Sequence, residues 1–162
     1  MSKCEVLMRI KQSQLDQVLE DEDFFWVLRN KWRGTDHCID IDKAWHGIHY
    51  LFNQKVLGGT PPAKWVIFGD KEREIPYLNG GHGPAHYLTH NQVSKVSDHI
   101  KNIPLKELKK RYDPTIFREK NIYPQHWDEN EWNYLLLHYN QLKNFYQKAA
   151  DNSESVLMAI FP

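Results

Sequence analysis

A chain of 162 residues with 41% hydrophobic and 26% charged side chains has the length and apolar content to bury one core, which excludes a disordered chain and a miniprotein that needs staples. Twenty-one Lys and Arg balance twenty-one Asp and Glu, so no net field steers the protein to nucleic acid or to an anionic membrane, and neither is an expected partner. Cys4 and Cys38 make no disulfide framework, no segment reaches the ~20 apolar residues of a membrane helix, and nothing resembles a secretory leader; a reducing cytoplasm is the expected compartment.

In chain order, Cys4 to Ile10 reads as a strand with Val6 and Met8 on one side and Leu7 on the other. Ser13 offers an N-cap to a helix carrying Leu15, Val18 and Leu19, and a second helix covers Phe24 to Lys31 before Gly34, Thr35 and Asp36 break the pattern. Ile39 to Asn53 reads as one helix, with Ile41, Trp45, Ile48 and Phe52 on a single stripe. After Gly58 and Gly59, the prolines at 61 and 62 open a short helix over Trp65 to Phe68. Gly69 to Pro84 reads as irregular, and Ala85 to Thr89 as a short strand.

Thr89 and Gln92 form a capping box for a helix through Val93, Val96 and Ile100. Pro104 and Pro114 begin short helices, Leu105 to Tyr112 and Thr115 to Lys120. A long amphipathic helix from about Glu129 to Ala150 carries Leu135, Tyr139, Leu142, Phe145 and Tyr146, and Ser155 to Phe161 closes the chain as a strand. The expected architecture is a single, mostly helical α+β domain in which the two terminal strands pair in a small sheet, with helices covering a face.

Two groups of residues carry potential chemistry. Asp42, His46 and His49 fall at i, i+4 and i+7, within an arc of about 60° on a helical wheel, so that three potential zinc or iron ligands project in one direction. Neither an H-E-x-x-H pattern nor a cysteine pair accompanies them, and the plainer reading is the solvated side of the helix. The second group is the run Gly80-Gly81-His82-Gly83-Pro84, followed by His86, Tyr87 and the helix opening at Thr89. Permissive backbone beside a helix start suits a small anionic ligand, but no G-K-[ST] follows it, and a loop that needs unusual backbone angles is the plainer reading of the glycines. The residues expected to line such a ligand site are His49, His82, Gly83, His86, Tyr87 and Thr89.

Three strings resemble the YfbM-like family. Asp40 to Leu51 is similar to its D-K-x-W-x-x-I/L-H-Y/F-L helix, Gly83 to Thr89 to its G-P-A-R-Y-L-T segment, and Ile122 to Trp127 with the long helix to its closing part. His86 stands where that segment has arginine. The resemblance implies a small bacterial or phage-borne cytoplasmic α+β domain spanning nearly the whole chain. It implies no activity, because the family has no assigned function. The best-supported expectation is a non-catalytic module binding a protein partner or a small ligand, with no cofactor implied. The alternative is a hydrolase-type enzyme using Asp42, His46 and His49 with a metal, or His82 and His86 as acid and base.

Overall fold

The computed structural model describes residues 2–79 and 81–162. The strands β1 (Cys4–Ile10), β2 (Cys38–Asp40), β3 (Glu74–Asn79), β4 (Pro84–Leu88) and β5 (Ser155–Phe161) form an antiparallel sheet of order β2-β1-β5-β4-β3, with β1 inside it. Strand β5 runs alongside β1 from Cys4↔Phe161 to Ile10↔Ser155, so the two ends of the chain pair as the sequence suggests. Nearly every residue of β1 is buried, because helices cover both faces of the sheet. This corrects the expectation of a single covered face.

Helices α1 (Gln12–Glu20) and α2 (Glu22–Trp32) pack over Met8, Ile10, Leu157 and Ala159 on one side. The cap of α1 is Lys11 rather than Ser13, and its N–H donates to Gln14 Oε1 at 2.9 Å. The opposite face presents Leu7, Val156, Met158 and Leu88 to the larger core, which holds the remaining helices. There α8 (Glu131–Asp151) buries Leu135, Tyr139, Leu142, Phe145, Tyr146 and Ala149 on one face. Burial of each large apolar side chain stabilises the fold by roughly 1.5–3 kcal/mol.

Two segments differ from the sequence reading. The stretch expected as one helix from Ile39 divides into β2 (Cys38–Asp40), a 3-10 turn (Asp42–Ala44) and α3 (Trp45–Asn53). Asp42 has φ +50°, and its N–H donates to Asp40 Oδ1 at 2.7 Å. That side-chain turn halts the helix and lets residues 38–40 pair with β1. The segment expected as irregular contains β3 (Glu74–Asn79), paired to β4 (Pro84–Leu88). β3 carries Pro76, which masks it as a strand and suits its place at the sheet edge.

Between these strands and α3 sits α4 (Trp65–Phe68), a single turn over the end of the sheet. Helix α5 (His90–Asn102) opens with the expected box: Gln92 N–H donates to Thr89 Oγ1 at 3.3 Å, and Thr89 N–H to Gln92 Oε1 at 2.9 Å. Helices α6 (Leu105–Arg111) and α7 (Pro114–Glu119) follow. Arg111 donates to the Leu51 and Phe52 carbonyls, satisfying the C-terminal end of α3. Among the described residues, no helix is long and apolar enough to cross a membrane.

Candidate ligand-binding cavity

Helix α3 is buried on all sides, His46 and His49 included. Its supposed solvated face is therefore interior, as expected of a helix enclosed by neighbours. Gly47 makes this possible: a Cβ there would lie 2.8 Å from Leu135 Cδ2 and 2.9 Å from Trp127 Cη2. The missing side chain lets α3 press against α8 and against the loop that carries Trp127.

Both ring nitrogens of His46 are committed. Nδ1 accepts from the Tyr123 N–H at 3.0 Å, which puts the proton on Nε2, and Nε2 donates to the Val56 carbonyl at 2.9 Å. Burial lowers its pKa and keeps the ring neutral. Asp42 has left the helix. Its carboxylate accepts from the Tyr134 hydroxyl at 2.8 Å and from Cys4 Sγ at 3.3 Å. The Asp42, His46 and His49 set thus does not converge, and no three such side chains among the described residues are grouped to hold a metal.

His49 is different. It is fully buried, its ring centroid lies 4.5 Å from that of Phe68, and its Nε2 makes no hydrogen bond of normal geometry, with the Gly58 backbone as its one nearby partner. Asn53 donates to the carbonyls of His49 and Ala63 and faces His49 Nδ1 at 3.3 Å, which leaves the ring proton on Nε2. Burial lowers the His49 pKa to about 4; repulsion from His46 once both rings are protonated adds to this, and a hydrogen-bonding contact with the Gly58 backbone partly offsets it. A neutral imidazole whose N–H is only poorly paired therefore lines a cavity of about 320 Å³. The other walls include Phe68, Gly58, Gly59, Gly69 and His86, with Lys64 and Lys71 at the basic side.

A side chain would clash at two of the wall glycines, Gly59, where it would meet Asn53, and Gly69. Gly69 has φ +65°, and a Cβ there would meet Met158 Sδ at 2.5 Å and His86 Cβ at 3.0 Å. Beyond Phe68 and His86, which both spaces share, lies a second lobe of about 220 Å³. Its lining includes Glu5, Ile67, His82, Gly83 and Met158.

Of the residues expected to form a ligand site, the structure gathers His49, His82, Gly83 and His86 around these adjoining lobes. Tyr87 and Thr89 are not brought in. Tyr87 pairs with Leu157 on β5 and packs in the core under α1 and α2, because strand alternation turns it away from His86. Thr89 is consumed as the cap of α5. The 81–83 turn joins β3 to β4 rather than feeding a helix, which removes the helix-start cradle; Gly80 lies outside the described residues. His86 Nε2 lies 3.6 Å from Glu74 Oε1, and burial lowers its pKa against the opposing pull of Glu74.

Sequence reasoning missed Glu5, Lys64, Phe68, Gly69 and Lys71. For Glu5 a signal existed: it shares the strand face of Leu7, a position where a lone carboxylate is out of place.

Comparison with known proteins adds the lineage. A family described as a domain of unknown function, DUF1877, matches residues 1–159. The chain belongs to the DUF1877 family. The crystal structure of YfbM from Escherichia coli, a protein of unknown function, superposes on this DUF1877 chain with a TM-score of 0.75. The match is 19% identical and covers 97% of this chain and 99% of that one, a likeness that carries the fold alone. No curated protein matches by sequence. Within this DUF1877 chain, the three strings that resemble the YfbM-like family meet in space. The first supplies His49 and the second His86, while the third braces His46 through the Tyr123 N–H.

Proposed function

We propose that this DUF1877 chain is a non-catalytic binding module, and that the cavity between α3, α4 and β4 seats a small organic anion. The observation that carries the reading is the buried His49, which lines the cavity beside Gly58, Gly59, Gly69, Lys64 and Lys71 and whose Nε2–H has only a poorly formed contact to the Gly58 backbone. Buried polar atoms are nearly always well paired, so a poorly paired donor at a cavity wall is a group that a ligand would satisfy. The volume falls at the small end of the range for ligand pockets. Phe68 and Leu57 offer an apolar surface for the body of such a ligand.

A panel of small carboxylates and phosphate esters, screened by thermal shift and then by calorimetry, tests this. At least one is expected to raise the melting temperature, and Lys64→Gln combined with Lys71→Gln is expected to weaken it about tenfold or more. Binding unchanged in that double variant, or no response to the whole panel, would remove the proposal.

The second reading is hydrolytic, with His86 and His82 as acid and base, and the 3.6 Å approach of Glu74 to His86 favours it. Against it, neither lobe is lined by a serine, threonine or cysteine among the described residues. Turnover of an ester or phosphoester panel, abolished by His86→Gln, would decide for the enzyme.

A further inference from the structure

We propose that the second lobe, beneath the 82–84 turn, is a subsite for a carboxamide or lactam edge read by the buried side chain of Glu5. The proposal rests on the adjoining cavity being a ligand seat and names the neutral group that such a ligand would carry. Glu5 is 0% exposed, and neither of its carboxyl oxygens has a hydrogen-bond partner. Its natural neighbours are already engaged. Arg9, two positions along the same strand face, pairs with Glu154 at 2.6 Å and with Asp36 at 3.1 Å. The Tyr146 hydroxyl donates to the Val66 carbonyl at 2.7 Å. Glu5 thus lies unsatisfied at the wall of a lobe whose other walls include Ile67, Phe68, Met158 and Ile160.

The burial of Glu5 in a mostly apolar lobe, with His82 and His86 as its other polar side chains, decides the chemistry. Glu5 has no cation or donor paired with it, and burial raises its pKa well above the usual carboxylate value, which favours the neutral acid. A neutral carboxyl sets one O–H donor beside one C=O acceptor. The complement of that pair is an N–H beside a C=O, as in a primary amide or a lactam, and no charge has to be created on binding. An ammonium ligand would require ionising a fully buried Glu5 in a lobe whose side chains, His82 and His86 apart, are hydrocarbon, which is costly. A carboxylate ligand would meet a single donor.

Titration of the intact protein, labelled with ¹³C at the glutamate side-chain carboxyl, tests this with 2-pyrrolidinone and acetamide as probes and ethylammonium and acetate as controls. The lactam is expected to shift the Glu5 resonance saturably, with no proton released in calorimetry across two buffers. Glu5→Met, which keeps the shape and removes the polar pair, is expected to weaken lactam binding about tenfold or more. Glu5→Gln, whose amide can still pair with an amide edge, should retain it. If Glu5→Met does not fold, the labelled wild type and Glu5→Gln still decide the matter.

Lactam binding undiminished in Glu5→Met would overturn the assignment, as would ethylammonium competing with the lactam while releasing a proton. A protein that binds the anion panel but gives no lactam response would end this proposal and leave the anion seat standing. Silence toward both sets of probes would end both.

Discussion

At the scale of single residues, what distinguishes this chain is how its buried polar groups are satisfied. His46 is a brace: its two nitrogens tie the Tyr123 amide and the Val56 carbonyl to α3. His46→Phe would leave both backbone groups buried without a partner, and is expected to cost about 2–5 kcal/mol in chemical denaturation. Glu5 is the converse case, since the fold gains nothing from its carboxyl. Its folded pKa is raised, so above about pH 4.5 the unfolded chain releases a proton that the native chain keeps. Stability from this group is complete below that pH and is lost as pH rises, by about 1.4 kcal/mol per unit until the folded pKa is reached. Glu5→Gln should therefore match or exceed the wild type in stability, by a margin that widens from pH 5 to pH 7. A constant margin across that range would mean that Glu5 is charged in the native protein.

At the scale of elements, contact between α3 and α8 depends on Gly47. Gly47→Ala gains helix propensity, yet its methyl would press on Leu135 and Trp127. A net loss of about 1–3 kcal/mol is expected in a urea titration. The elements were legible wherever a repeat ran unbroken, as in the Leu135–Ala149 face of α8, the Thr89–Gln92 box of α5 and the terminal strands. They were hidden where one residue overrode the local pattern. Asp42 adopts a left-handed conformation that no periodicity announces, and turns the start of an expected helix into β2. Pro76 made an edge strand look like loop. The site was half legible for a related reason. His49 and His86 stood out as histidines near permissive backbone, whereas the place of Tyr87 depended on which way β4 faces, and Lys64 and Lys71 meet the cavity only through the tertiary fold.

At the scale of the whole molecule, helices on both faces of a five-stranded sheet leave one end of it, near α4, incompletely filled, and that gap holds the two lobes. The histidines enclosed by this packing set the acid limb of stability. The unfolded His49 imidazole takes a proton near 6.5, while the folded one resists until about 4. Stability is thus intact above 6.5 and falls as the pH drops toward 4, again by about 1.4 kcal/mol per unit. His49→Phe, which replaces one ring by another beside Phe68, should flatten that limb in acid denaturation; an unchanged limb would place the loss in other groups.

The account turns on the cavity as a seat for a ligand, and a crystal of the whole chain soaked with the best small anion from the panel tests that most directly. The account predicts electron density between His49 and His86, within hydrogen-bonding distance of His49 Nε2 and close to Lys64 or Lys71. Density for the anion elsewhere on the surface, with these lobes holding only water, would contradict it.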